Sequence, residues 1–215
     1  FKVDDQDGIR EPIGMMGTRL EVKVHIVTAA QSALQNVIRC CNKAGLQVAS
    51  LVLQPLASAK AVLSKDEMEL GVALVDIGGG TTDLAIFHSG SIVHTAVLPI
   101  GGTHVTQDLA IGLRTPQNEA ERLKIASGYA LKSYLGNSET IEVPSVGGRP
   151  SRVVDRKMLG DIIEPRFEEI FRLVNREIIA CGCSDVLGGG VVITGGSTLM
   201  PGVTELAEFV FDLPV

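Results

Sequence analysis

The chain has 215 residues, of which 45% are hydrophobic, and a formal net charge of −6 at pH 7. A chain of this length and composition can bury a substantial core, and we expect one or two compact lobes. The 19 lysines and arginines are scattered and outnumbered by 25 acidic residues, which argues against a nucleic-acid-binding protein. Two long uncharged stretches, 84–107 and 186–204, are interrupted by glycine and proline, so neither predicts a membrane span.

The first 63 residues predict alternating strands and helices. Residues 20–27 alternate apolar and polar side chains, which is typical of a half-exposed strand. We expect a helix to follow, capped by Thr28 and terminated at Gly45. Residues 46–53 predict a return strand and 55–63 a further short helix, so a strand, helix, strand unit precedes the glycine-rich region.

A glycine-rich turn is the strongest functional motif in the chain. Apolar runs at 72–75 and 84–87 predict two strands joined by Asp-Ile-Gly-Gly-Gly-Thr-Thr-Asp. Three glycines remove every Cβ from the tip, so successive backbone N–H groups can donate to an anion. The threonine hydroxyls add donors, and the aspartates are placed to hold water on a divalent cation. The alternative is an ordinary hairpin turn, which needs only one or two glycines. The predicted phosphate and metal residues are Asp76, Gly78, Gly79, Gly80, Thr81, Thr82 and Asp83.

Two further glycine pairs occur later in the chain. Gly101 and Gly102 separate a predicted strand at 92–98 from a helix over 105–113, and the start of that helix could hold another phosphate. The second pair follows a buried strand that begins at Val191. A flat adenine or ribose could lie there against backbone, although a tight turn into a helix over 201–211 would look similar. The residues of this motif are Gly195, Gly196 and Ser197.

The middle of the chain predicts a helix and then a loop. The helix begins at Thr115 and Pro116 and carries Glu121 and Lys124 three residues apart. Such a pair is usually a surface ion pair. Residues 141–150 contain two prolines and two glycines, which predicts a short strand and a loop rather than a helix.

The longest predicted helix lies in the last third of the chain. Apolar residues recur at three- and four-residue steps from Met158 to Ile179, and Asp155 can cap the helix. Pro165 lacks a backbone N–H, and its ring clashes with the preceding turn. We therefore expect this helix to kink or divide near 164–166.

The cysteines and histidines lack the spacing of metal sites. The cysteines form a Cys40-Cys41 pair and a Cys181-Gly-Cys183 motif, and we expect buried thiols in a reducing cytoplasm. His88 and His94 are expected to satisfy hydrogen bonds near strand ends. We predict no catalytic residue and no side chain that binds a metal ion directly.

This ordered set of motifs resembles the second half of the actin, Hsp70 and sugar-kinase ATPase superfamily. Four segments are similar to the FtsA family of bacterial cell-division proteins in particular: 86–114, 142–150, 163–166 and 192–196. The resemblance implies an α/β fold class, namely an actin-like, ribonuclease H-like ATPase lobe with a mixed sheet flanked by helices, plus part of a small α/β inserted subdomain. It also implies that the chain is a fragment of a longer protein.

The resemblance implies a division of the chain into three parts. Residues 1–47 would be the remnant of the inserted subdomain, called 1C in the family. Residues 48–103 and 183–215 would form the sheet subdomain of the second lobe, called 2A. Residues 104–182 would form the smaller subdomain, called 2B.

The same resemblance implies that ATP and Mg²⁺ lie between two lobes of the complete protein. The phosphates would contact Asp76, the 78–82 turn and Gly101 and Gly102. Glu121 and Lys124 would face the ribose, and 195–197 the adenine. This chain has only one side of that cleft, so we expect weak or absent nucleotide binding by the chain alone. We expect a scaffold rather than an enzyme, with at most slow ATP hydrolysis, because no histidine or lysine near the turn offers an obvious base.

The family resemblance also implies partners and a location. The smaller subdomain would bind the C-terminal tail of FtsZ, and the protein would polymerise with itself as an actin-like filament. It would contact other divisome proteins, tether the Z ring through a membrane-binding segment absent from this chain, and bind no nucleic acid. The protein would be cytoplasmic, peripheral on the inner membrane at the division septum. Other members of the superfamily, a pilus-assembly adaptor or a sugar-kinase-like phosphotransferase, are the alternatives. The implied tail-binding residues are Arg152, Arg166, Phe167 and Glu169.

Overall fold

The computed structural model describes residues 1–134, 139–147 and 149–215. Gly148, which falls in the predicted loop 141–150, lies outside the described residues. The chain forms two compact units, Phe1–Ala49 and Ser50–Val215. The family-based division into three subdomains stays a prediction.

The first unit contains a two-stranded sheet and one helix. Strand β1 (Lys2–Val3) pairs antiparallel with β2 (Leu20–Glu21), and helix α1 spans Gln31–Lys43. The carboxylate of Asp4 accepts hydrogen bonds from the backbone N–H groups of Thr18 and Arg19, at 3.0 and 2.8 Å, and so holds the segment before β2.

Three predictions for this region are wrong. The strand predicted over 20–27 ends at Glu21, and no strand forms at 46–53. Residues 20–27 do alternate, but among the described residues the only strand that pairs with β2 is β1, which has two residues. The backbone groups of residues 22–27 therefore have no partner strand for hydrogen bonding. Helix α1 begins after Ala30 without a side-chain cap, not at Thr28. Gly45 does end it as predicted, with φ of +79°.

The second unit holds the remaining elements. Its described strands are β3 (Val72–Ile77), β4 (Thr82–His88), β5 (Ser91–Leu98), β6 (Thr140–Val143), β7 (Arg152–Asp155) and β8 (Val191–Thr194). Its described α-helices are α2 (Gln54–Val62), α3 (Lys65–Leu70), α4 (Gly102–Gly112), α5 (Gln117–Ser127), α6 (Lys157–Ala180) and α7 (Val203–Phe211). Short 3-10 helices occur at Lys132–Tyr134, Ser184–Val186 and Gly196–Leu199.

Four strands form a mixed sheet in the order β5-β4-β3-β8. Strand β4 pairs antiparallel with β3 and β5, whereas β8 pairs parallel with β3. Strand β3 is buried along its whole length, because helices cover both faces of the sheet. One face packs against α4, α6 and α7, and the other against α2 and α3. This arrangement confirms the predicted α/β class with a mixed sheet flanked by helices.

The predicted division of the long helix at Pro165 does not occur. Helix α6 runs as one 24-residue helix, and Pro165 neither divides it nor ends it. Apolar residues on both sides of Pro165 are fully buried, among them Ile163, Phe167 and Ile170. Their burial outweighs the cost of a proline in mid-helix, which is about 3 kcal/mol. Asp155 was predicted to cap this helix. Its carboxylate accepts a hydrogen bond of 2.8 Å from the backbone N–H of Lys157, the first residue of α6.

Helix α3 and strand β7 are among the elements that were not predicted from the sequence. Helix α3 begins with a capping box in which Ser64 and Glu67 bind each other's backbone N–H groups. This Ser-x-x-Glu pattern is a sequence signal for the start of a helix, so α3 could have been predicted from it. Residues 152–155 form β7, which pairs antiparallel with β6, and only Asp155 among them was assigned a role from the sequence, as a helix cap.

The cysteine and histidine predictions are partly wrong. Cys40 is exposed and Cys181 and Cys183 are half-buried, so these thiols are not core residues. Nδ1 of His88 and Nε2 of His94 are buried but have no hydrogen-bond partner in the described structure. Among the described helices, none is long and apolar enough to cross a membrane.

Candidate functional site

The glycine-rich turn lies between β3 and β4, as predicted. The N–H of Gly78 donates to the carbonyl of Thr81 at 2.9 Å and closes the turn. Within the described residues, the amides of Gly79 and Gly80 donate to no acceptor. A Cβ at Gly80 would meet no atom within 4 Å, so the tip is open. These two N–H groups are available to an anion.

The two aspartates of the motif are neighbours in the sheet. Asp76 lies opposite Asp83 in the β3–β4 register, and they are 8% and 7% exposed. The Asp76 carboxylate accepts hydrogen bonds from Ser58 Oγ at 2.7 Å and Gln54 Nε2 at 3.2 Å. Burial raises the pKa of Asp83, and the nearby charge of Asp76 adds to the rise, against a hydrogen bond from Thr81. No group of three or more potential metal-binding side chains occurs in the part of the chain that the structure describes.

The two threonines of the motif have different surroundings. Thr81 is exposed, and its hydroxyl donates to Asp83 at 3.2 Å. Thr82 is fully buried, and its hydroxyl donates to the carbonyl of Ile100 at 2.8 Å. The structure therefore directs the Thr82 hydroxyl into the protein, where it holds the segment before α4.

The start of α4 binds the turn itself. The N–H groups of Gly102 and Thr103 donate to the carbonyls of Gly78 and Gly79, at 2.9 and 2.8 Å. A Cβ at Gly101 would lie 2.6 Å from the Gly78 carbonyl oxygen, so this close approach requires glycine. The N–H groups of Gly102 and Thr103 are therefore already hydrogen-bonded within the protein. They are not free to bind a phosphate, as the prediction for the start of this helix required.

Glu121 and Lys124 on α5 lie beside the start of α4, where Lys124 binds the carbonyl of Gly102. The Lys124 ammonium is within 2.8 Å of Glu121 Oε2 and donates to the Gly102 carbonyl at 3.0 Å and to Thr106 Oγ1 at 2.9 Å. The Thr106 hydroxyl also hydrogen-bonds to Glu121 and to Gly102. Burial alone would raise the pKa of Glu121, but the hydrogen bonds from Lys124 and Thr106 outweigh it and lower that pKa. The pair therefore anchors α5 to α4 and is not an isolated surface pair.

The Gly195-Gly196-Ser197 motif follows β8 and faces the turn. Gly195 has φ of +98°, and a Cβ there would lie 2.5 Å from the carbonyl oxygen of Ile77. Ser197 Oγ donates to the carbonyl of Gly78 at 3.2 Å. A Cβ at Gly196 would meet nothing within 4 Å, so the backbone is open at this point.

These segments enclose one cavity of about 480 Å³. This volume lies within the range of small-molecule sites, about 300–1,000 Å³. Apolar walls and a few polar groups line it, which is the usual composition of such sites. The lining residues are Gly78, Gly79, Gly102, Thr103, Val105, Glu121, Lys124, Ile125, Phe167, Gly196, Ser197, Leu199, Met200 and Pro201.

The structure therefore brings four of the predicted segments together: the turn, the second glycine pair at the start of α4, the Glu121 and Lys124 pair, and the motif after β8. The sequence did not single out Ser58 and Gln54, which hold Asp76, or Thr106, which joins α4 to α5. Each is one of several polar residues on its helix, so nothing in the sequence set it apart. Such a residue does not reveal its partner, because the partner lies far away in the chain.

One of the four residues implied for peptide binding, Phe167, does not lie at the protein surface. Arg166 on α6 donates to Asp108 on α4 through Nε at 2.6 Å and Nη2 at 3.1 Å, and it also binds Glu169. The hydrogen bonds to Asp108 are the main reason that the pKa of Arg166 is raised. Arg152 donates to the carbonyl of Leu113 at the end of α4. Phe167 is 1% exposed and packs against Phe171, so its ring lies in the core and beside the cavity.

Comparisons with known proteins agree with this architecture. The family described as cell division protein FtsA matches residues 73–215, and the SHS2 domain inserted in FTSA matches residues 1–28. The chain is 52% identical over 215 residues to the cell division protein FtsA of Pseudomonas aeruginosa. It is 50% identical over 216 residues to that of Neisseria meningitidis. Both alignments cover 100% of this chain and 52% of the relative, so the chain spans about half the length of the curated relatives it matches.

A solved structure supports the fold assignment. MreB5 of Spiroplasma citri bound to ADP matches with a TM-score of 0.72 at 22% identity, over 86% of this chain and 60% of that chain. At this level of identity the likeness shows the fold alone. Together with the family match over 73–215, it places the chain among actin-like cell division proteins. The chain belongs to the FtsA family of bacterial cell division proteins and has an actin-like fold.

Proposed function

We propose that this chain is part of an ATP-binding, actin-like scaffold that polymerises at the inner membrane and anchors the FtsZ ring there. The observation that carries the nucleotide part of the proposal is the cavity of about 480 Å³ in which the predicted segments meet. Family membership carries the division part and favours it over a pilus-assembly adaptor or a sugar-kinase-like phosphotransferase.

The cavity offers hydrogen-bond donors for phosphates and apolar walls for a base, as expected for one side of a nucleotide-binding cleft. The free amides of Gly79 and Gly80 and the Thr103 hydroxyl offer donors to phosphate oxygens. The open backbone at Gly196 leaves room for a flat ring, and Ile125 and Leu199 provide apolar walls. Lys124 is 12% exposed and bound to the Gly102 carbonyl, so it orients the start of α4 and brings positive charge near the site.

Mg²⁺ fits this site through water rather than by direct coordination. Bound Mg²⁺ would shield the charge of the phosphates and usually keeps several of its own waters. Asp76 is held from α2, and Asp83 is held by Thr81, so both carboxylates have fixed orientations. ATP would act as a structural ligand that stabilises the closed protein, and hydrolysis would be slow because Lys124 is occupied by three acceptors.

A titration followed by NMR tests nucleotide binding even if it is weak. MgATP at millimolar concentrations should shift the backbone amide signals of Gly79, Gly80 and Gly196. Adenosine, which has no phosphates, should shift Gly196 but leave the two turn amides nearly unchanged. Shifts confined to other regions would rule out this cavity as the nucleotide site.

The proposed partner is the C-terminal tail of FtsZ, bound beside α4, α6 and β7. Arg152 is exposed at the start of β7, and Arg166 and Glu169 lie together on α6. An acidic and apolar peptide would find guanidinium groups at this surface. Phe167 would support the surface from below, since its ring is buried.

Fluorescence anisotropy of a labelled FtsZ tail peptide tests this part. We expect saturable binding that Arg152→Glu weakens, with Arg122→Glu as a matched control on the exposed face of α5. A scrambled peptide of the same composition measures charge attraction alone. Equal binding of the tail and scrambled peptides, or equal effects of the two variants, would refute a specific tail site near Arg152.

A further inference from the structure

The start of α4 includes one hydrogen bond that a side chain supplies. The N–H groups of Gly102 and Thr103 donate to carbonyls of the glycine-rich turn, and the N–H of His104 donates to the carbonyl of Gly101 at 3.0 Å. The N–H of Gly101 donates instead to Nδ1 of the His104 ring, at 3.1 Å. Gly101 and His104 therefore hold each other through two hydrogen bonds.

His104 takes the place that a glutamate takes in an ordinary capping box. At the start of α3, the carboxylate of Glu67 accepts the N–H of Ser64, three residues earlier. His104 follows Gly101 at the same spacing and accepts its N–H through a ring nitrogen. A carboxylate at this position would place a negative charge near the turn proposed to bind phosphates, and like charges repel. A neutral ring closes the start of the helix without that charge.

Gly101 lies against the glycine-rich turn, so its orientation affects the turn. A Cβ at Gly101 would lie 2.6 Å from the carbonyl oxygen of Gly78 and 2.9 Å from that of Gly79. The next two residues of α4 bind the same two carbonyls. A peptide unit is planar, so a fixed carbonyl at Gly78 fixes the N–H of Gly79, and a fixed carbonyl at Gly79 fixes the N–H of Gly80. The start of α4 thereby orients the two amides that are open to an anion.

We propose that His104 is a positioning residue for this turn and that its protonation state controls how firmly the turn is held. The inference rests on the proposed nucleotide site. With Nδ1 unprotonated, the ring accepts the Gly101 N–H and fixes the start of α4. A doubly protonated ring has an N–H on both nitrogens and cannot accept, and the N-terminal end of a helix disfavours positive charge. Acidification therefore loosens Gly101 and, through it, the amides of Gly79 and Gly80.

The charged groups around the start of α4 are bound to one another. Helices α5 and α6 pack against α4, while the turn at 78–82 and the segment 98–100 carry no ionisable side chain. Arg166 of α6 binds both carboxylates on its side, and the two charged groups of α5 bind each other. Among the described residues, none of these groups is ion-paired with His104. A charge on His104 therefore acts first on its hydrogen bond to Gly101. The groups concerned are Asp108 on α4, Arg166 and Glu169 on α6, and Glu121 and Lys124 on α5.

A pH titration followed by NMR, without nucleotide, tests the inference. Histidine changes its charge between about pH 5 and 8. The amide signals of Gly101, Gly79 and Gly80 should shift with the same midpoint as the ring signals of His104. His104→Gln keeps a neutral acceptor at a position where capping boxes use glutamine, so the response with that midpoint should vanish. Gln107→Ala, at an exposed position on α4, is the control and should keep the transition.

Binding of MgATP at pH 8 separates positioning from general stability. His104→Gln should bind MgATP as the unmodified chain does, whereas His104→Ala, which lacks the acceptor, should bind about fivefold more weakly. His104→Glu should melt no lower than the unmodified chain, because a carboxylate suits this helix position. It should nevertheless weaken binding of MgATP and leave binding of adenosine unchanged, since only MgATP carries phosphates.

Three outcomes would overturn the positioning role. They are turn amides that ignore the titration of His104, the same transition in His104→Gln, and equal MgATP binding by His104→Gln and His104→Ala. The titration needs no nucleotide, so it decides the role of His104 by itself. Binding of MgATP away from the turn, with the amide transition intact, would count against the proposed nucleotide site and not against the link between His104 and the turn.

Discussion

Arg166 on α6 donates two hydrogen bonds, of 2.6 and 3.1 Å, to the carboxylate of Asp108 on α4. Both side chains are about one-quarter exposed, so the pair is partly shielded from water. The guanidinium also binds Glu169 and therefore has little freedom to turn toward a peptide. Arg166 thus joins the two helices that would carry the FtsZ tail, and its loss would disturb the surface as well as any contact with a ligand.

Arg166→Glu should destabilise the protein whether or not a peptide binds. The new carboxylate would face Asp108 and Glu169, and we expect a loss of about 1.5–3 kcal/mol in the free energy of unfolding. Urea denaturation measures the loss. Asp108→Arg combined with Arg166→Asp should recover part of the stability, because it reverses the pair. If the double variant is no more stable than Arg166→Glu, the pair does not hold α4 against α6.

Gly195 and Gly196 should respond differently to the same substitution. Gly195→Ala places a side chain at a φ of +98° and 2.5 Å from the Ile77 carbonyl, which should cost more than about 3 kcal/mol of stability. Gly196→Ala meets no atom within 4 Å and should change stability by less than about 0.5 kcal/mol. Thermal unfolding compares the two. Similar melting temperatures would contradict the geometry described for this turn.

Gly196→Ala should nevertheless weaken nucleotide binding, because its methyl group would enter the cavity. The NMR titration with MgATP measures this change in a protein whose stability is unaltered. Unchanged binding by Gly196→Ala would place the adenine elsewhere.

Asp83 should make the protein less stable as the pH rises. Its pKa is raised in the folded state, so between the unfolded pKa, about 3.9, and the folded pKa the native protein binds more protons than the unfolded chain. The resulting penalty is absent below the unfolded pKa and complete above the folded pKa. Asp83→Asn should therefore be more stable than the unmodified chain at neutral pH, and the difference should shrink toward pH 4. A difference independent of pH would contradict this assignment.

The cysteines should react with iodoacetamide in a definite order. Burial, with a contribution from Cys181, raises the pKa of Cys183 to about 11. At pH 8 only about one Cys183 in a thousand would then be the reactive thiolate. Cys40 is exposed and should be alkylated first, as peptide mass spectrometry over time can establish. Labelling of Cys183 before Cys40 would contradict the raised pKa of the Cys183 thiol.

Pro165→Ala should stabilise the protein. The substitution restores an N–H donor within α6 at an exposed position, so no packing is lost. We expect a gain of about 1–3 kcal/mol after allowing for the greater freedom of the unfolded chain. Pro116→Ala is the matched control, because Pro116 precedes α5 at a position where no helical N–H bond is required. Equal effects of the two substitutions would show that the proline is not strained in α6.

Sequence patterns predicted elements well where the element and its partner lie close together. The hairpin of β3 and β4 needs only two apolar runs and a glycine turn, and it forms at the expected residues. The alternation at 20–27 was equally clear, yet only Leu20 and Glu21 are in a strand. An alternating pattern states which face a strand would bury, but not whether a neighbouring strand exists to pair with it.

The sequence alone determined the family, the mixed α/β class and the positions of the three glycine motifs. These depend on local requirements, such as a missing Cβ at a turn or a run of β-branched residues. Tertiary structure decided which polar groups remain free for a ligand. Ser197 donates to Gly78 across 119 residues, Arg166 reaches Asp108 across 58, and the amides at the start of α4 bind the turn. Such partners are set by packing between distant elements, so no local pattern could reveal that Gly79 and Gly80 are open while Thr82 and Gly102 are occupied.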